Sequence, residues 1–141
     1  MGYQIARENE RVGRAVTLRA EINLGLKQGY AGFLQEKDEV ISFLKEEYRQ
    51  ALVSGRNFIP VGVQTTEIVY AYPSGDGVHA EAEPALTLFS DKSPLYAADL
   101  SDEEWQAAVE ELASKLAERF RQFRVYITYI PVEVRILQRA E

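Results

Sequence analysis

The stretch Val16 to Leu26, VTLRAEINLGL, alternates without a break. Its even positions, Val16, Leu18, Ala20, Ile22, Leu24 and Leu26, are apolar, while Thr17, Arg19, Glu21, Asn23 and Gly25 are polar or small. Successive side chains on a β-strand point to opposite sides of the pleat, so this pattern predicts a strand with one apolar and one polar face. The apolar face needs a second layer to cover it.

Two segments have the spacing to supply that layer. Val40, Ile41, Phe43, Leu44, Tyr48, Leu52 and Val53 recur at helical intervals and predict an amphipathic helix over 38–53, closed by Ser54-Gly55. Leu100-Ser101-Asp102-Glu103-Glu104-Trp105 reads as a capping box with a hydrophobic staple. It opens a second helix with an apolar stripe of Trp105, Ala108, Val109, Leu112, Leu116 and Phe120. Three more strands are predicted over 58–72, 78–89 and 124–137, the first two joined by a turn at Pro73-Ser74-Gly75-Asp76-Gly77. In the 78–89 strand Val78, Ala80, Ala82, Leu86 and Leu88 mark the expected buried side. The apolar side changes parity within 58–72 and again within 124–137, which predicts a bulge or bend near Thr65 and another at Pro131.

The order β-α-β-β-α-β is that of a ferredoxin-like split β-α-β sandwich, an α+β fold with a four-stranded antiparallel sheet and two helices on one face. At 141 residues the chain fits one such domain over 15–141, preceded by a polar arm or short helix at 1–14. Halves 15–72 and 78–138 resemble each other, with AEINLGL over AEPALTL, Asp38-Glu39 over Asp102-Glu103 and TEIVY over VEVRI, and they read as an internal duplication. The loop from Gly25 to Gly32, GLKQGYAG, is read as a connection.

Composition excludes several functions. With no cysteine there is neither a disulfide framework nor thiol chemistry. The N-terminus lacks a signal-peptide core and no apolar run is long enough to span a bilayer, so a cytoplasmic protein without a membrane partner is expected. A net charge of -6 argues against phosphate-backbone binding, and nucleic acid is not an expected partner. Arginines concentrate near the two termini, and if the termini are neighbours, Arg14, Arg19, Arg124 and Arg135 form a basic edge on an acidic body.

With the first and third strands as central neighbours, Glu21, His79, Glu81 and Glu83 fall on the open face of the sheet. One histidine and three carboxylates are the candidate ligand or metal residues. Strand spacing separates i and i+2 by nearly 7 Å, so a shared divalent metal needs help from a neighbouring strand. The competing reading is a solvated face on which Arg19 pairs with Glu81 or Glu83. The long hairpin, with exposed edges near Tyr70, Tyr72, Val134 and Ile136, predicts a dimer or trimer. In topology and hairpin length the chain resembles the trimeric regulators related to the nitrogen-signalling PII proteins and the divalent-cation tolerance protein CutA. Neither signature motif is present, so no residue or activity is carried over.

The sequence thus predicts a non-catalytic, self-associating module that binds a protein or small ligand, with no catalytic residue and no resident cofactor. The alternatives are an enzyme, metal-dependent or acid-base, using Glu21, His79, Glu81 and Glu83, and a structural subunit of a larger assembly.

Overall fold

The structure is a computed structural model, described for residues 2–28 and 32–140. Part of the GLKQGYAG loop therefore lies outside the described residues. Among the described residues eight strands and two helices follow one another as β1 (Tyr3–Ile5), β2 (Arg7–Glu8), β3 (Arg11–Val12), β4 (Arg14–Gly25), α1 (Lys37–Val53), β5 (Gly62–Ser74), β6 (Gly77–Asp91), α2 (Asp102–Arg119), β7 (Tyr126–Arg135) and β8 (Leu137–Arg139). The main sheet has four antiparallel strands in the order β5-β6-β4-β7, so the protein is an α+β fold. No helix among the described residues is long and apolar enough to cross a membrane.

The alternation in β4 does what its pattern demands. Ala20, Ile22 and Leu24 are buried, and they join Leu86 and Leu88 of β6, Val40 and Leu44 of α1, and Trp105, Val109, Leu116 and Phe120 of α2 in one core. Each fully buried leucine contributes about 1.5 to 3 kcal/mol of transfer free energy. The α2 capping box forms as expected: Glu104 N–H donates to Ser101 Oγ at 3.1 Å, and Ser101 N–H donates to Glu104 Oε1 at 3.0 Å. Beyond α1, Gly55 takes φ +68°, the left-handed conformation that glycine adopts at little steric cost.

Several expectations need correction. Val16 is 80% exposed, and Leu52 and Val53 are also exposed although Ala51 beside them is buried, so they fall on the solvent side of the last turn of α1. Phe58 to Val61 is not strand, and β5 begins only at Gly62. Neither bulge exists: β5 keeps continuous register with β6 from Gly62 opposite Phe89 to Ser74 opposite Gly77, and β7 keeps it with β4 through Pro131 opposite Leu18. The change of parity has another cause. Both outer strands outrun the helical layer, and past its end half-burial passes to the opposite side, as at Tyr70 and Tyr72 of β5 and Val132 and Val134 of β7. In β6 the expected burial is reversed along this arm: Val78, Ala80 and Ala82 are exposed, while Glu81 and Glu83 are half-buried.

Residues 3–12 form strands and not a helix. β2 and β3 make a tight hairpin whose turn residues Asn9 and Glu10 both have positive φ, and β1 pairs with β8 beside the C-terminus.

Candidate functional site

The turn between β5 and β6 has only Gly75 and Asp76 as loop residues, and it fixes which side chains meet on the arm. Tyr70 stands opposite Glu81, Tyr72 opposite His79 and Ile68 opposite Glu83. Paired residues share a face, here the one opposite to Leu86 and Leu88. Tyr70 Oη lies 2.5 Å from Glu83 Oε1 and 2.9 Å from Glu81 Oε2, with Tyr72 Oη 3.5 Å from Glu81 Oε1. Lys27, just past β4, brings its ammonium within 3.6 Å of Glu83 Oε1. The Tyr70 and Tyr72 rings stack at 6.1 Å, and Tyr72 stacks in turn on His79 at 5.7 Å.

One phenol proton cannot fully serve two carboxylates. The hydroxyl is shared between Glu83, at the shorter distance, and Glu81, whose other oxygen takes only a long bond from Tyr72. The hydrogen bond to Glu83 is the first cause pushing the Tyr70 phenol well above its ordinary range, followed by desolvation and the bond to Glu81. Tyr70 is therefore a neutral donor at physiological pH. A row of aromatic faces beside two carboxylates with a single lysine suits an organic cation.

The structure brings His79, Glu81 and Glu83 onto this face but leaves Glu21 elsewhere. Glu21 is opposite Phe89 on β6, six positions beyond Glu83, or roughly 20 Å by strand rise. It lines a shallow recess with Arg19, Gln64 and Thr87. Arg19 does not reach Glu81 or Glu83; its guanidinium donates twice to Asp91, at 2.7 and 3.1 Å. Among the described residues no group of three or more His, Cys, Asp or Glu is placed to hold a metal ion. The basic edge is also divided. Arg14 and Arg135 are direct cross-strand partners, with Arg135 held by Glu133, while Arg124 lies over Phe123 at the other end of β7, roughly 35 Å away by strand rise.

Tyr70, Tyr72 and Lys27 are the partners that sequence reasoning left out of the site. The turn carried the signal: a two-residue loop at Gly75-Asp76 sets Tyr70 against Glu81.

No protein-family model matches the chain, and no curated protein sequence matches it. Two solved structures share its fold. A phage SAM lyase in the apo state superposes with a TM-score of 0.57 at 18% identity, covering 89% of this chain and 93% of the lyase. A phage SAM lyase in complex with S-methyl-5'-thioadenosine gives 0.59 at 20% identity, covering 92% and 95%. The expectation of a non-catalytic module is corrected here, since the solved structures that share this architecture nearly end to end are enzymes.

Proposed function

We propose that the protein is an enzyme of the SAM lyase type, which binds S-adenosylmethionine on the β5–β6 arm and releases S-methyl-5'-thioadenosine. The observation that carries this reading is Tyr70 Oη set between Glu81 and Glu83 beside the Tyr72 ring. The phage SAM lyases of the same fold supply the substrate class, and one of them holds S-methyl-5'-thioadenosine. We read the strand order β5-β6-β4-β7 with its two helices as the ferredoxin-like arrangement on which that chemistry is mounted.

The chemistry fits the residues. The substrate carries a sulfonium, and a tyrosine face with nearby carboxylates attracts such a cation. The bond change balances without water or a resident cofactor: the substrate's own α-carboxylate closes on Cγ, the Cγ–S bond breaks, and sulfur keeps the pair as a neutral thioether. The positive charge disappears along the way. Carboxylates therefore serve binding and orientation, while acceleration comes from aligning the substrate carboxylate and excluding water. Glu81 and Glu83 hold the cationic end, Tyr70 fixes them in place, and Lys27 limits the excess negative charge.

Self-association belongs to the same reading. β5 is an edge strand, and the arm exposes Val69 and Val78 on the face away from Tyr70 and Ile68 on the face that carries it, apolar positions that a second copy would cover.

The deciding experiment is incubation of purified protein with S-adenosylmethionine and chromatography of the products. Formation of S-methyl-5'-thioadenosine well above the spontaneous rate, lost in Glu81→Gln with the circular dichroism unchanged, is the expected result. A wild-type rate equal to buffer overturns it.

A further inference from the structure

Lys27 is the only cation among the described residues that pairs with a carboxylate of the arm. It stands just past the last ladder pair of β4 and β6, Gly25 opposite Ala85, and that register carries its side chain to the face that holds Glu83. Hydrogen bonds fix the main chain on both sides of it. Leu26 N–H donates to Pro84 O at 3.2 Å, Gln35 N–H donates to Leu26 O at 2.6 Å, and Gln122 Nε2 donates to Lys27 O at 2.8 Å. Gly25 makes room for that glutamine, since an added Cβ would come within 2.7 Å of Gln122 Oε1.

The ammonium on this anchored chain has donors to spare. It lies 3.6 Å from Glu83 Oε1, an ion-pair separation beyond hydrogen-bond length, and among the described residues it donates to no acceptor. Its side chain is only 22% exposed, so the charge is held against the sheet and not loose in solvent. Glu81 is its complement. One Glu81 oxygen has a share of the Tyr70 hydroxyl and the other a contact of 3.5 Å from Tyr72, which leaves that carboxylate open to a further donor.

Glu83, beside Lys27, and Glu81 are i and i+2 partners on one strand, about 7 Å apart by strand rise. An α-amino acid end carries an ammonium and a carboxylate on one carbon, and with a hydrogen bond at each end it spans a gap of that size. We propose that Lys27 binds the α-carboxylate of the substrate while Glu81 takes its ammonium, so that the site selects compounds with an intact amino acid end. The inference rests on the reading of the arm as the S-adenosylmethionine site. Lys27 holds one carboxylate oxygen and the other closes on Cγ; the C–O bond forms, the Cγ–S bond breaks with its pair going to sulfur, and no proton moves. Because the carboxylate loses its charge as the ring closes, the contact is strongest before reaction and serves selection and alignment.

S-Adenosylhomocysteine keeps the amino acid end but has no sulfonium to cleave, so its binding reports the contact whether or not the arm is a lyase. Its decarboxylated counterpart has the same ammonium and no carboxylate. A site with Glu81 and Glu83 alone would prefer the counterpart, which carries the greater positive charge. Calorimetric titration of the wild type should instead show S-adenosylhomocysteine binding about tenfold tighter or more, the weight of one hydrogen bond between charged groups. Lys27→Met, or Lys27→Gln if the first does not fold, should cancel or reverse that preference with the circular dichroism unchanged. In the double variant Lys27→Met, Glu83→Gln the removed charges cancel, so the field returns while the contact stays absent, and the preference should stay lost. In cleavage of S-adenosylmethionine, Lys27→Met should raise KM about tenfold or more and change kcat less. A wild type that binds neither ligand or favours the decarboxylated one, a folded Lys27 variant that keeps the preference, or its return in the double variant each overturns the assignment. Release of S-methyl-5'-thioadenosine by a wild type that fails these tests removes only the role of Lys27, and an intact preference without release removes only the lyase reading.

Discussion

Leu24 and Leu86 are direct partners across the two central strands, and neither has any exposed surface. They stand where both helices close over the sheet. Leu86→Ala should destabilise the protein by about 3 kcal/mol, within the usual range for a leucine removed from a rigid core. Chemical denaturation should show a lower midpoint with an unchanged slope.

Tyr48 Oη donates to Ile59 O at 2.6 Å, and burial pushes its phenol up to about 12. An unfolded tyrosine titrates near 10, so the folded state favours the protonated form. Its contribution is complete below pH 10 and is lost as pH rises toward 12. Melting temperature followed from pH 8 to 12 should fall over that window, less steeply in Tyr48→Phe. Equal slopes in the two proteins would refute the assignment.

Ser101 caps α2, and its backbone N–H and hydroxyl hold the Glu104 carboxyl below its usual range. Ser101→Ala should cost about 1 kcal/mol at neutral pH. A carboxyl with a lowered folded pKa contributes stability above its unfolded value and loses it as pH falls through the folded one. The difference between wild type and variant, measured by denaturation, should therefore narrow in acid.

Tyr70, Glu81 and Glu83 form one hydrogen-bonded unit, so their losses should not add. Tyr70→Phe keeps the ring against Tyr72 but removes the hydroxyl. Its rate of S-adenosylmethionine cleavage should fall about 100-fold or more, and the Tyr70→Phe, Glu83→Gln double variant should be little worse than the poorer single one. Multiplicative losses would separate the residues.

The arm's exposed apolar residues, Ile68, Val69 and Val78, predict assembly beyond the monomer. Sedimentation at micromolar concentration should show a dimer or trimer, and Val69→Lys with Val78→Lys should shift it toward monomer. A wild-type monomer at that concentration would end the self-association reading.

The sequence by itself determined the parts governed by local periodicity. The alternation of Val16 to Leu26 set the face of β4 that carries Ile22 and Leu24, helical spacing set α1 and α2, and Ser101 with Glu104 set where α2 starts. It also placed Glu81 and Glu83 on the open side of the sheet. Only the tertiary structure decided how far the helices reach. That limit exposes Val16, Val78 and Ala80, produces the parity changes without bulges, and leaves the Tyr70 hydroxyl to meet Glu81 and Glu83. Register along the central pair decided the rest, setting Glu21 against Phe89 and Arg19 against Asp91. Alternation reports which side of a strand is apolar, but it carries no information on where a strand slides against its neighbour or where the covering layer ends. Those are set by contacts between residues far apart in the chain, and the site depends on them.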